Sequence, residues 1–101
     1  MFKTDHNPTF SATVQIPAPG GELHPLAVTF KWLARDGFID YCKNAASKPD
    51  PEFFSGLIDS WDADVPCNQE GMTDFFNKWP RAGRALFDAY RGELLGVEEK
   101  N

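Results

Sequence analysis

Apolar and polar residues alternate in two stretches near the start of the chain. Every even position is apolar in residues 10–16 and again in residues 26–32, while most odd positions are polar. A period of two is typical of half-buried strands. Between the stretches, Pro19 presets the geometry of a turn and Gly20 accepts the positive φ that a type II turn needs. The pattern predicts an antiparallel hairpin over residues 10–33 with one apolar face.

Beyond residue 34 the apolar positions recur with a helical period. The boundaries of four helical segments are marked by residues that start or stop helices, namely capping acids, an asparagine cap, prolines at helix starts and a glycine at the last helix end. The helices are predicted to begin at or near Asp36, Asp50, Asn68 and Pro80. The second is predicted to reach Trp61. The last is predicted to end just before Gly96, which would adopt the left-handed conformation.

This order of elements predicts an α+β fold, an N-terminal antiparallel β-hairpin packed on about four α-helices. We expect a single domain over residues 1–101, since the chain is long enough for one modest core. Its expected parts are a flexible tail (1–9), the hairpin (10–33), a helical part (35–96) and a C-terminal tail (97–101). A hairpin is not stable alone, so its apolar face must pack on the helices or on a second copy. The exposed hairpin edge favours a homo-oligomer.

The charge of the chain is uneven. Its net charge is −5, and residues 50–77 hold seven acidic side chains and no Lys or Arg. Such a segment repels phosphate, which excludes nucleic acid as a partner. No apolar run approaches the roughly 18 residues of a membrane span, and residues 1–6 lack the features of a secretory signal. We therefore expect no membrane association.

No group of residues predicts catalysis, a metal or a cofactor. Counted from Asp62, the acids of residues 59–68 place Cys67 where a calcium loop needs glycine and Thr73 where it needs a bidentate glutamate. His6 and His24 have no partner at metal-binding spacing. The two cysteines lack redox or metal spacing, so both are expected to be reduced thiols. We expect a protein that is not an enzyme.

Adjacent aromatic pairs are the main signal of function. Successive helical residues point about 100° apart, so one member of each pair can face the core while the other faces a partner. The stripes on the second and third helices place Phe54, Trp61, Phe76 and Trp79 inward. The residues predicted to contact a partner are Phe53, Phe75 and Leu57, which adjoins Phe53 although it also belongs to the inward stripe.

Several short motifs occur together in the order of a known family. They are the Phe-Xaa-Ala-Xaa-Val-Xaa-Ile-Pro strand with its Pro-Gly-Gly turn, Trp61-Asp62 closing a helix, Pro80 opening the last helix, and Ala89-Tyr90, Leu94, Gly96 and Lys100-Asn101 at the end. In this respect the chain resembles the small tail assembly chaperones of long-tailed bacteriophages and prophages.

That resemblance implies a non-catalytic role in virion assembly. Its implied partners are the tape measure protein, whose apolar helices it would shield, and the tail tube protein. It also implies residence in the host cytoplasm, absence from the mature virion and, in many members, a longer frameshifted form. An alternative from another class is a small acidic phage-encoded inhibitor that mimics nucleic-acid charge, suggested by the seven acids of residues 50–77.

Overall fold

A computed structural model describes residues 1–96 of the chain. Three strands and four helices follow one another in the order β1, β2, α1, α2, β3, α3, α4. Their bounds are β1 Thr9–Pro17, β2 Leu23–Lys31, α1 Arg35–Ala45, α2 Asp50–Ser55, β3 Ile58–Trp61, α3 Gln69–Lys78 and α4 Ala82–Leu95.

The strands form one antiparallel sheet in the order β1, β2, β3. In the hairpin, Thr9 lies opposite Lys31 and Pro17 lies opposite Leu23 without a register shift. The turn closes through a 2.7 Å bond from the Ala18 N–H to the Glu22 carbonyl. Gly20 and Gly21 adopt φ values of 95° and 96°, where a side chain would be strained. The glycine pair thus sets the register of the hairpin.

One face of the sheet forms the core and the other faces solvent. Val14, Ile16, Leu26, Val28 and Phe30 are all buried, whereas the odd positions of β1 between them are exposed. The helices pack against the buried side, which also receives Phe38, Phe54, Met72, Leu86 and Tyr90. The sequence prediction of an α+β fold built on an N-terminal hairpin is confirmed.

Tyr90 joins the last helix to the sheet. Its side chain is 0 % exposed, and its ring lies 5.4 Å from that of Phe10 and 5.2 Å from that of Phe30. The hydroxyl donates a 2.8 Å hydrogen bond to the carbonyl of Lys31, at the end of β2. Because phenolate is poorly solvated in such a site, burial raises the pKa of Tyr90 to about 12.

We expect the stability of the protein to fall as the pH rises from 10 to about 12, because the Tyr90 pKa is raised from 10.0 in the unfolded chain to about 12 in the fold. The neutral phenol favours the folded state, so its contribution is complete below the lower value and is lost through this window. The Tyr90→Phe variant should be about 1 kcal/mol less stable than the wild type at neutral pH, because it lacks the hydrogen bond to the Lys31 carbonyl. Its stability should fall less steeply at alkaline pH, because it has no phenol at this position to ionise. Chemical denaturation across the alkaline range measures both, and identical pH profiles would contradict the assignment.

The predicted second helix is the main correction to the secondary structure. It ends at Ser55 rather than at Trp61, and β3 begins at Ile58. The apolar spacing of this segment fits both a helix and an alternating strand. Pairing with β2 decides between them, because Val28 lies opposite Trp61 and Phe30 lies opposite Ile58 across a bulge. Backbone pairing with a distant strand has no local signal in the sequence.

The helix caps agree with prediction in part. The Asn68 side chain accepts a 2.8 Å hydrogen bond from the Gly71 N–H, and Gly96 closes α4 with φ 71° and ψ 20°. Both predictions are confirmed. Asp36 and Asp50 were predicted as caps, but the caps are Ala34 and Pro49, and both acids lie inside the first turn. There their charge still complements the positive end of the helix dipole.

Candidate functional site

The three residues predicted to contact a partner do not lie on one surface. Leu57 is 0 % exposed and belongs to the core, which follows from the turn between α2 and β3 that replaces the predicted helix. Phe75 is only 9 % exposed. Phe53 is half-buried and packs against Tyr41, with 5.3 Å between the ring centroids. The inward orientation predicted for Phe54 and Phe76 is confirmed at 2 % and 8 % exposure.

The aromatic side chains form a continuous row through the helical layer. From Phe53 the row passes to Phe54 at 5.0 Å, to Phe76 at 5.3 Å, to Phe75 at 5.3 Å and to Trp61 at 4.9 Å between ring centroids. Phe53 and Phe75 therefore lie at separated places in one packed row. Because each ring rests on the next, most of these aromatics hold the core together.

Phe75 lines a surface cleft at the end of the sheet that carries the hairpin turn. This cleft has a volume of about 230 Å³. We call it the aromatic cleft. Its walls come from the ends of β1 and β2, the loop after β3 and one side of α3, and its lining residues are Ile16, His24, Pro25, Leu26, Asp62, Ala63, Asp64, Phe75 and Trp79.

The loop that borders the aromatic cleft is held by hydrogen bonds at its start. Asp62 bonds to β2 twice, since the Ala27 N–H donates to its carboxylate at 2.9 Å and its own N–H donates to the Ala27 carbonyl at 3.1 Å. The indole N–H of Trp61 donates to the Val65 carbonyl at 2.9 Å. These bonds fix one wall of the cleft relative to the sheet, so the cleft is formed before any partner arrives.

The end of the same loop packs against α3 through a glycine. A side chain at Gly71 would overlap the carbonyl oxygen of Pro66. The capping bond from the Gly71 N–H to Asn68 holds the chain at this close approach. The geometry of the loop between β3 and α3 therefore depends on a glycine in the first turn of α3.

The rim of the aromatic cleft is polar and mainly acidic. Asp62 and Asp64 are exposed beside the half-buried ring of Trp79. On the other side, the His24 ring meets Trp79 edge to face at 5.2 Å, and its Nε2 lies 2.8 Å from a Glu22 carboxylate oxygen. An apolar floor with acids at the rim suits an apolar side chain whose neighbours are basic or neutral.

The two cysteines and the possible metal-ligating side chains are the groups from which a reactive thiol or a metal site would be built. Cys42 and Cys67 are free and half-buried, and burial raises the pKa of each thiol, which disfavours the reactive thiolate. Within residues 1–96 no three His, Cys, Asp or Glu side chains lie close enough to hold a metal ion. No helix in that range is both long and apolar enough to cross a membrane.

Of the three residues predicted to contact a partner, only Phe75 lines the aromatic cleft, and the other lining residues were not predicted. Trp79 was assigned to the inward stripe of α3, yet it is half-buried beside His24. The alternation that includes Ile16 and Leu26 predicts strands, but it does not predict which loop lies against this end of the hairpin. The local signal in this region is Trp79 directly before Pro80, because a helix usually ends at the residue before a proline, and Trp79 is the C-cap of α3.

Comparisons with known proteins agree with this picture. A family model described as phage tail assembly chaperone matches residues 1–101, the whole chain. Neither the curated proteins nor the solved structures contain a significant match. The match confirms the family suggested by the strand, turn and helix motifs. A tail assembly chaperone acts by binding tail proteins, so the protein has a chaperone role in the assembly of phage tails. The chain belongs to the phage tail assembly chaperone family.

Proposed function

We propose that this protein is a non-catalytic chaperone that shields apolar helical segments of the tape measure protein until the tail tube assembles around it. The observation that carries the proposal is the aromatic cleft, where Phe75 and Trp79 line a preformed depression with Asp62 and Asp64 at its rim. An amphipathic helix docks by inserting apolar side chains into such a depression. The cleft would accept one or two of these side chains.

The charge of the surroundings supports the same partner. The cleft borders the acidic segment 50–77, which has seven acids and no Lys or Arg. Acidic side chains around an apolar site speed the encounter with a segment that carries basic residues and disfavour acidic competitors. They also keep an aromatic surface soluble while it is unoccupied. The preferred target is therefore an amphipathic helix with Lys or Arg beside its apolar stripe.

The remaining parts of the proposal come from the family. We expect the protein to work in the host cytoplasm, to be absent from the mature virion and to bring the tail tube protein to the tape measure protein. A longer frameshifted form would supply that second contact. A partner bound through an apolar cleft can be displaced by polymerising tube subunits, because no covalent bond has to break.

The alternative, an acidic inhibitor that mimics nucleic-acid charge, fits the described side chains less well. Two acids of the acidic segment already have partners within the chain, since Asp62 accepts from the Ala27 amide and Asp74 pairs with Lys78 at 3.2 Å. The acids are also distributed over helices, a strand and a loop. A mimic of a phosphate backbone needs a regular row of charges instead.

Co-expression with the tape measure protein of the same gene cluster tests the proposal. The wild-type chain should raise the soluble fraction of that protein. Asp64→Lys should reduce this effect several-fold at little cost in stability, because Asp64 is an exposed rim residue of the aromatic cleft. The matched control is Asp40→Lys, which makes the same change of charge at an exposed position of α1.

The control should chaperone as well as the wild type. Equal losses in the two variants would attribute the effect to net charge and remove the aromatic cleft from the mechanism. If the wild-type chain leaves the solubility of the tape measure protein unchanged, the proposed shielding role is wrong. Strongly salt-sensitive binding to a basic host protein would favour the alternative instead.

A further inference from the structure

The outer strand β1 presents a free hydrogen-bonding edge. Ala27 and Lys31 of β2 direct their backbone groups toward β3 and the segment before it, through bonds to Asp62 and Leu57. The even residues of β2 therefore bond to the even residues of β1. It follows that Ser11, Thr13 and Gln15 point their N–H and C=O groups away from the sheet. Nothing in residues 1–96 pairs with this edge.

This edge lacks the usual protection against strand pairing. Strand β1 has nine residues, none of them charged, and its pairing with β2 contains no bulge. Its proline, Pro17, is at the very end. Natural proteins normally blunt a long edge strand with charges, proline or a bulge because an open edge recruits another strand. The opposite edge, β3, has only four residues and a bulge in its pairing with β2.

We propose that β1 pairs with β1 of a second copy, antiparallel about a twofold axis through Thr13, to form a continuous six-stranded sheet. Thr13 is the middle residue of the strand, and its backbone groups point outward. The axis places Thr13 opposite itself and Ser11 opposite Gln15 of the second copy, which lets all three residues form backbone bonds in both directions. No charged side chain of β1 opposes its own copy.

The surface behind the edge leaves room for this approach. A cleft of about 520 Å³ separates the outer side of β1 from α4. On the helix side it is lined by the small residues Ala85, Ala89 and Gly92, which share one face of α4, and by the acids Asp88 and Glu93. Small side chains at such positions let a second helix come close, so the two α4 helices could pack beside each other under the joined sheet.

The charges at the two ends of this face of α4 are complementary under the same axis, and the acid near its middle, Asp88, is paired with Arg84 at 2.9 Å. Arg81 caps the start of the helix, one turn before Ala85, and Glu93 lies on the same face near its end. The twofold axis through Thr13 makes the two α4 helices antiparallel, which places the start of one beside the end of the other. Arg81 of each copy would then approach Glu93 of the second copy. This complementarity favours a second copy over an unrelated strand.

Sedimentation velocity of the purified chain, from low to high micromolar concentration, tests the pairing. The wild type should convert from monomer to dimer in this range. Thr13→Pro removes an outward N–H without touching a bond to β2, and it should weaken the dimer about tenfold or more because both bonds at the axis are lost. The matched control is Thr13→Ala, which keeps the N–H and should dimerise like the wild type.

A charge exchange on α4 provides an independent test. Glu93→Arg and Arg81→Glu should each weaken the dimer, and the double variant should recover most of the loss because the pair is restored with reversed sign. Circular dichroism shows whether each variant is folded. A wild type that stays monomeric at high micromolar concentration would overturn the proposal. So would a folded Thr13→Pro that dimerises normally, or a double variant that is weaker than both single ones.

Discussion

Replacing Gly71 with alanine should destabilise the protein by about 3 kcal/mol, the opposite of what alanine usually does in a helix. In an open helix, Gly→Ala gains about 1 kcal/mol because alanine has less backbone freedom to lose. Gly71 is buried in the first turn of α3, and a Cβ there would overlap the carbonyl oxygen of Pro66. The obstacle is backbone, which cannot rotate away as a flexible side chain can.

Gly37→Ala is the matched control for that substitution. Gly37 lies in the first half of α1, is exposed, and a Cβ added there meets nothing within 4 Å. This variant should be more stable than the wild type by about 0.5–1 kcal/mol. Thermal or urea unfolding of both variants gives the comparison. A Gly71→Ala protein as stable as the wild type would mean that the loop moves freely, and the aromatic cleft would then not be preformed.

The hairpin and several helix ends could be predicted from the sequence because their causes are local. Alternation over residues 10–16, the glycines of the turn, the Asn68 cap and the final Gly96 each act within a few residues. Local geometry alone selects these structures among the alternatives. The α+β class followed from the order in which these local signals occur along the chain.

The segment from Gly56 to Trp61 shows where sequence reasoning failed. Its apolar residues satisfy a helical stripe, and they also suit a strand once Val28 and Phe30 are available as neighbours. The deciding interactions join residues about 30 positions apart, and no pattern inside the segment reveals them. The same error placed Leu57 on the inward stripe of a helix beside Phe53 and made it a predicted partner contact, although it is a core residue at a turn.

The aromatic cleft could not be predicted from the sequence, for a related reason. Its lining comes from β1, β2, a loop and α3, and it exists only after the loop from Asp62 binds back to β2. Composition indicated that an apolar surface should exist. The sequence pattern predicts Phe75 as a contact, but only the three-dimensional arrangement brings Trp79 beside it in the cleft and gives Phe53 a different packing partner, Tyr41.

Leu57→Ala is expected to cost about 3–5 kcal/mol of stability. The Leu57 side chain is 0 % exposed, and its backbone carbonyl accepts a 2.8 Å bond from the Lys31 N–H, which holds the residue in place at the junction of α2 and β3. Because the backbone is pinned to the sheet, the surroundings cannot collapse far into the space that the side chain leaves. A cavity that stays open adds its own cost to the lost transfer free energy.

Leu23→Ala makes the same chemical change at the first residue of β2, where the side chain is 56 % exposed. It should change stability by no more than about 0.5 kcal/mol. Urea unfolding of the two variants separates a core role from a surface role for Leu57. If Leu57→Ala is as mild as Leu23→Ala but impairs the solubilisation of the tape measure protein, Leu57 contacts the partner as the sequence pattern predicted. A large loss of stability assigns it to the core and leaves the aromatic cleft, with Phe75 and Trp79, as the apolar surface for the partner.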